Sequence, residues 1–484
     1  MVVNRKLEVK QNRMLFNSIS FLLFFPLVCL FYYSIPTKQI RARNLLLLLS
    51  SYYFYMSWEP TYALLLLTST IITYLTAIGI EHSKQRKDKK RWLCVCIILN
   101  LLILFLFKYF DFVGSNINLF LKMSGMSISV PKFGLLLPVG ISFYTFQALG
   151  YSTDVYRGKT KAVHDFPTYA LFVSFFPQLV AGPIERSNHL LPQFKQEHSF
   201  DFNQAMTGLK LTVWGFFLKL VLADRCAMYV DAVFNNVSHH NGGSFLLASL
   251  LFTFQIYGDF AGYSLIAIGV ARILGFHLTD NFHHPYLSCS VGEFWHRWHI
   301  SLSTWFKDYV YIPLGGNRVS KPRHYFNLMI TFVVSGIWHG DNWTFLLWGT
   351  LHGILLCTEK AMGIKLKYQG ISRAIRCVIT FVILCMTWMV FRANCLADVL
   401  VILRNMTGNF GFPYVQDVGW GVLIASFMAI SIALVKELSE EYRWRFANTL
   451  KGYPFIQYAY IALLIAIISL LGVFGDSQFI YFQF

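Results

Sequence analysis

Apolar stretches of bilayer-spanning length recur from one end of this 484-residue chain to the other, and no other feature restricts its fold so strongly. A helix that crosses the hydrocarbon core needs roughly 20 predominantly apolar residues. Candidate stretches run over Phe16–Ile35, Asn44–Ser57, Tyr62–Ile80, Trp92–Lys108, Phe133–Leu149, Tyr169–Val180 and Met206–Leu222. They continue over Phe245–Ile273, Phe326–Ile337, Trp343–Cys357, Ile375–Phe391, Trp420–Val435 and Tyr458–Val473. At roughly 20 residues per crossing these predict about ten to thirteen helices. Composition agrees, since 56% of residues are hydrophobic and 13% charged, about half the charge of a soluble domain. The expected fold class is an all-α polytopic membrane protein. Several stretches are short for a full crossing, notably the two around His339, which predicts re-entrant segments or helices buried in protein.

The net charge of +17 would suggest nucleic acid in a soluble chain, but cytoplasmic loops of membrane proteins collect Lys and Arg. Lys38, Arg41 and Arg43 fall between the first two stretches, and Lys84, Arg86, Lys87, Lys89, Lys90 and Arg91 between the third and fourth. Both sets lie on one side if every early stretch spans, so that side is read as cytoplasmic and the N-terminus as outside. Arg5, Lys6, Lys10 and Arg13 conflict with this, and the conflict disappears if translation begins at Met14. Residues 1–13 are therefore expected to be an extension, and 14–484 a single transmembrane domain with an uncleaved first helix. The nine cysteines lack C-x-x-C spacing and are read as small buried hydrophobes.

Residues 281–323 are neither apolar enough to span nor disordered in composition, and chemistry is sought there first. In the run Glu293–Arg318, His296 and His299 stand three residues apart and on a helix share a face with Ser303. That spacing could hold a metal, but further ligands are absent unless Glu293, His283 or His284 folds in, and no metal is assigned. His299 reads equally well as a histidine in a packing seam, and Trp295, Trp298 and Trp305 as an interfacial belt. His339 lies between two apolar runs in Ser335–Trp343, at membrane depth, where an ionisable group defaults to a functional reading. A neutral imidazole there can take a proton from a hydroxyl and return it to a leaving group. The competing reading is a structural histidine in a helix contact, and for His352 that reading is stronger.

Polar residues in otherwise apolar stretches form a third group: Gln147, Asp154, Gln178, Glu185, Gln255 and Asp259. They should face an interior cavity or pair with Arg157, Arg186 and Arg272. Phosphate-loop, dinucleotide and nucleophile-elbow motifs are absent from the sequence, which argues against a nucleotide-driven pump.

Several long motifs stand in order along the chain. They are PVGISFYTFQALGYSTDVYRG (Pro138–Gly158), FPQLVAGPIER (Phe176–Arg186), DFAGYS (Asp259–Ser264), NFHHPY (Asn281–Tyr286), the run Glu293–Arg318, SGIWHG (Ser335–Gly340) and VFRANCLADVLVILRNM (Val390–Met406). With these the chain resembles the membrane-bound O-acyltransferase superfamily, over most of its length from Met14 onward. Within it the resemblance is to the bacterial branch that contains the alginate O-acetylation membrane protein.

The resemblance implies a ring of tilted helices around a funnel-shaped core, with short helices holding a histidine. It implies that His339 is the catalytic histidine and His299 the second active-site group. Trp338, Asn281, Ser303, Asp259, Gln255 and Gln147 are the expected substrate or tunnel positions. Acetyl would pass from a cytoplasmic donor, acetyl-CoA, to an extracytoplasmic polysaccharide, with no tightly bound cofactor and an SGNH-type partner outside. The implied location is the bacterial inner membrane. Two positions depart from the family pattern: Leu265 stands where an acidic residue is common, and His296 where Arg is frequent. D-Alanyl transfer from a carrier protein to teichoic acid is the nearest rival. A transporter or flippase is the rival from another class, and it would call for internal repeats that are not seen.

Overall fold

The computed structural model describes residues 14–364, 369–416, 418–444, 453–474 and 479–480. The proposed extension 1–13 lies outside them. All regular structure among the described residues is helical, and the chain forms two compact units. The first comprises Met1–Leu209 and Ile266–Thr279, the second Lys210–Leu265 and Asp280–Phe484.

The first unit holds α1 (Ile19–Ser34), α2 (Ile40–Met56), α3 (Pro60–His82), α4 (Arg86–Leu104), α5 (Phe110–Met123) and α6 (Ile141–Tyr156). The short α7 (Phe166–Ser174), α8 (Phe176–Leu179) and α9 (Ser187–Leu190) follow. Local chemistry sets the ends: Ser18 Oγ accepts from Phe21 N (3.2 Å) to cap α1, and Pro60 opens α3 where no amide is needed. The stretch expected to span from Phe133 is not one helix, because α6 begins only at Ile141 after an irregular segment. Tyr169–Val180 likewise breaks at Phe175. Side chains satisfy that break: Phe176 N donates to Ser51 Oγ (3.0 Å), and Gln147 and Gln178 both donate to Phe172 O (2.5 and 3.0 Å). Irregular backbone at membrane depth persists where protein groups replace water in this way.

The basic residues read as loops are largely helical. Arg41 and Arg43 lie in the first turn of α2, and Arg86–Arg91 open α4. Arg43 is buried, donating to Ile35 O from Nε (3.0 Å) and Nη2 (2.6 Å) with its guanidinium over the Tyr32 ring (4.7 Å). It closes the C-terminus of α1, in keeping with cations at helix C-termini.

α10 (Phe202–Phe216) runs through a π-helical segment, Phe217–Ala223, into α11 (Asp224–Phe234), and α12 is the 32-residue helix Gly242–Ile273. The second unit adds α13 (Val291–Arg297), α14 (Ile300–Phe306), α15 (Lys321–His339), α16 (Trp343–Ala361), α17 (Gly370–Arg392), α18 (Leu396–Gly408), α19 (Trp420–Glu441) and α20 (Pro454–Leu471). Among the described residues six helices are long and apolar enough to cross a membrane, against the larger number expected: α3, Arg86–Met123, Phe202–Phe234, α12, α17 and α19. Several other apolar stretches fold as shorter helices. Large exposed apolar side chains on α17 and α19, such as Ile375, Val378, Phe427 and Val435, suit contact with lipid rather than water.

α15 and α16 form a hairpin whose spacing is set by glycine. A Cβ on Gly336 would stand 2.4 Å from Phe345 O, and one on Gly349 2.4 Å from Phe332 O. Small residues admit the close approach that drives helix association where hydrophobic collapse is absent. The nine cysteines are unbridged, but two of them, Cys94 and Cys395, are exposed rather than buried.

Candidate active site

His339 is the last residue of α15, placed by the glycine-packed hairpin inside a shell of aromatic rings. Its ring centre lies 5.0 Å from Trp338, 5.0 Å from Trp348 and 5.5 Å from Phe391, each contact edge-on. His299 is fully buried, its ring 4.4 Å from Phe260 on α12 and 6.2 Å from Trp338. One indole, Trp338, therefore touches both imidazoles.

His299 owes its position to a backbone break. The helix expected to carry His296, His299 and Ser303 on one face stops at Arg297, and His299 adopts φ 42° and ψ 55°, a left-handed conformation unusual for a residue with a side chain. Asn281 holds the turn: its carbonyl accepts from Ile300 N (2.9 Å), its Oδ1 from Ser301 N (3.2 Å), and its Nδ2 donates to Ser264 Oγ (3.2 Å). Ser303 Oγ donates to Trp298 O (3.2 Å), closing the same break. Asn281 and Ser303 thus brace the turn that carries His299. His296 is exposed and bonds Gly292 O (2.7 Å), so it shares no face with His299 and the metal-like spacing is lost. Trp295, Trp298 and Trp305 are buried, which replaces the interfacial belt with a core role.

His352 belongs to the same core. Trp295 Nε1 donates to its Nδ1 (3.2 Å), which places the proton of a neutral ring on Nε2. Its ring stands 4.8 Å from Trp348, the indole that also touches His339. His283, His284 and Glu441 offer ligand atoms within 4.8 Å of one another. Glu441, however, already accepts from Arg297 (3.0 and 3.1 Å) and Arg373 (2.6 Å), and two guanidinium charges oppose a cation there.

Beyond Phe391 and Phe345 lies a polar cavity of about 560 Å³. Its floor holds Lys219, Asp224, Gln255 and Asp259, and its exposed rim includes Asn235, Asp341 and Asn394. Lys219, on the π-helical segment, has its Nζ 2.8 Å from Asp224 and 2.6 Å from Asp259, with all three side chains at most 5% exposed. Asp259 Oδ2 also accepts from Ile480 N (2.6 Å). Of the residues singled out from sequence, Asp259 and Gln255 line this cavity, while Gln147 belongs to the first unit and supports the break at Phe175. Lys219 was missed. Its signal was the same as that of His339, an ionisable residue inside an apolar run, Phe216–Ala223.

The fold and site define a polytopic membrane protein with a buried cluster of histidines and aromatic rings beside a polar chamber. Residues 161–399 match the profile of the MBOAT, membrane-bound O-acyltransferase family. The probable alginate O-acetylase AlgI of Pseudomonas aeruginosa is 40% identical over 384 residues, covering 79% of this chain and 72% of the relative. The peptidoglycan O-acetyltransferase of Helicobacter pylori is 35% identical over 432 residues, covering 82% and 80%. The teichoic acid D-alanyltransferase of Streptococcus thermophilus is 32% identical over 240 residues, covering 47% and 58%. The chain belongs to the membrane-bound O-acyltransferase family, and it is a multi-pass membrane O-acyltransferase.

Proposed function

We propose that this enzyme carries acetyl groups from cytoplasmic acetyl-CoA to hydroxyls of an extracytoplasmic polysaccharide, from the bacterial inner membrane. The observation that carries the reading is that Phe345 and Phe391 are shared: they line the polar cavity, Phe391 flanks the His339 ring, and a Cβ at neighbouring Gly340 would meet Phe345. The names of the relatives support a polysaccharide or peptidoglycan acceptor.

Charge within the second unit supports this direction. Glu359 of α16 accepts from Val291 N (2.6 Å) and Cys289 Sγ meets Arg373 O (3.8 Å), which joins the Ala361 end of α16 to the Gly370 end of α17. Lys321, Arg323, Lys360, Arg373 and Arg376 gather there, whereas the end with His339, Trp343 and Asn394 carries Arg392. The first end is then cytoplasmic, and the cavity rim faces outward.

In the reaction, His339 accepts the proton of an acceptor hydroxyl as its oxygen attacks the thioester carbonyl. The carbon–sulfur bond breaks, and the proton leaves with the coenzyme A sulfur. His299, across Trp338, polarises the carbonyl or orients His339. Each role requires approach to about 3 Å. That acceptor hydroxyl would belong to an SGNH-type protein outside, which passes the acetyl group on to the polymer. Vesicles holding the purified chain and labelled acetyl-CoA test this. With the SGNH-type partner on the opposite side, label should reach that partner and its saccharide with wild type and not with His339→Ala. Equal labelling by the variant, or faster transfer of carrier-bound D-alanine, would overturn it.

A further inference from the structure

The rim of the polar cavity carries a carboxylate without a counter-ion among the described residues. We propose that this cavity is a docking pocket for a lysine or arginine on a segment of the outside partner, an anchor for that protein and not a seat for the acceptor hydroxyl. The assignment rests on the outward-facing rim and the extracytoplasmic partner argued above. Four carboxylates line the cavity, Asp224, Asp231, Asp259 and Asp341, against two cations. Lys219 is held by Asp224 and Asp259, and Arg392 by Asp231 at 2.7 Å. Asp341 is exposed and has no ion-pair or hydrogen-bond partner among the described residues. A cation that enters meets the surplus negative charge without displacing an existing ion pair, whereas a phosphate-bearing ligand such as coenzyme A is repelled.

Gln255 on the cavity floor points to the same ligand. It is 8% exposed, lines the cavity, and its Oε1 has no hydrogen-bond partner among the described residues. A buried carbonyl left unpaired carries a desolvation cost, and it is satisfied by the N–H groups of an ammonium or guanidinium, which only donate. Phe345 and Phe391 on the inner wall offer apolar surface to the methylene stem of such a side chain. Outward, the cavity adjoins a second hollow of about 300 Å³, which shares Asn235 and Asn394 with it and adds His239 and Asp398. An extended segment of protein can lie along the second hollow with its cationic side chain in the first. That continuity favours a polypeptide over a free cation, which needs no such track. Phe391 stands between the cavity and His339, so the anchor holds the partner at the enzyme without occupying the reacting position.

The test uses the full chain in phosphatidylcholine nanodiscs and two fluorescent capped peptides of equal length, one alternating Gly and Arg, the other Gly and Glu, with affinity read by anisotropy. The Arg peptide should bind about tenfold more tightly, the reverse of the preference that the overall charge of +17 would give. Asp341→Lys should weaken it about tenfold and Gln255→Leu about threefold. The same change of charge at another exposed position, Glu197→Lys, should leave it unmoved. A photoreactive Arg peptide should crosslink to residues 235–239 or 394–398. Equal binding of the two peptides, equal losses in Asp341→Lys and Glu197→Lys, or crosslinks confined to other segments would each overturn the assignment. So would loss of Arg-peptide binding in phosphatidylethanolamine nanodiscs, since the lipid ammonium would then be the occupant. Release of coenzyme A from acetyl-CoA is followed in parallel. If that turnover persists, depends on His339 and the Arg peptide fails to bind, the docking assignment alone falls. If His339-dependent turnover is also absent, the acyltransfer reading falls with it.

Discussion

The aromatic shell and the polar cavity are neighbours with two shared rings, yet they treat charge in opposite ways. The shell brings His339, His299 and His352 into contact with Trp338, Trp348, Phe260 and Phe391. The cavity collects six charged groups, five of them bound to one another. The difference shows how a histidine cluster and a charged chamber coexist: carboxylates that neutralise a lysine and an arginine are held in place, and the phenyl rings of Phe345 and Phe391 stand between them and the imidazole. A histidine in contact with an unpaired carboxylate would hold its proton more strongly and serve less well as a base.

The largest effect expected from breaking this arrangement is on catalysis. His339→Ala should reduce acetyl transfer by about 10³-fold, within the range for losing a general base, with circular dichroism unchanged; a loss below tenfold would mean that the shell surrounds a structural residue. On the charged side, Lys219→Met strands Asp224 and Asp259 together. Removing one partner of a buried ion pair costs about 3–5 kcal/mol, visible as a lower unfolding midpoint. Adding Asp224→Asn and Asp259→Asn should restore much of it, and a midpoint unmoved by Lys219→Met would show that the triad is not sealed.

Phe391→Leu thins the wall between the two regions. It should cost about 1 kcal/mol of stability and raise acetyl-CoA hydrolysis relative to transfer, measured as coenzyme A released per acetyl delivered. An unchanged ratio would mean that the wall does not exclude water. At His299 the backbone separates two variants that both delete the imidazole. Since φ is 42° there, His299→Gly should be about 1 kcal/mol more stable than His299→Ala, while both lose transfer.

The smallest effect comes from an exposed counterpart of the buried triad, His189 Nδ1 at 2.7 Å from Glu185, with the histidine 42% exposed. The hydrogen bond to Glu185 raises the His189 pKa above its ordinary value, against a smaller opposing effect of burial. The pair therefore adds stability below about pH 6.5, and the contribution fades as pH rises through the elevated folded value. Solvent holds it below about 1 kcal/mol. His189→Gln should lower the midpoint slightly at pH 6 and leave it unchanged at pH 9.

The residues around the candidate site stand out in sequence because a polar or ionisable side chain in an apolar run costs too much to be incidental. That reasoning reached His339, Asp259 and Gln255. Applied evenly it would have reached Lys219. It also singled out Gln147, whose amide braces the break at Phe175, because a buried amide that repairs a broken helix carries the same local signature as one that lines a passage. The helix drawn through Trp298 and His299 failed for a different reason. No proline or glycine marks the break; it is held by Asn281, eighteen residues before His299 in the chain. The tryptophans read as a belt are core because α13 and α14 are too short to span and pack inside the second unit.

Sequence alone determined the solvent and therefore the architecture: with 13% charged residues and recurrent apolar runs, helices were the expected solution, and an intramembrane histidine stood out. Only the tertiary structure decided which polar groups meet. Lys219 is neutralised by Asp259, forty residues away, and Asp259 is also bound by Ile480 N. Trp338 lies against its neighbour His339 and also against His299, thirty-nine residues earlier in the chain. Local pattern encodes the cost of burying each group, whereas the partner that offsets the cost is set by contacts distant in sequence, which no periodicity records.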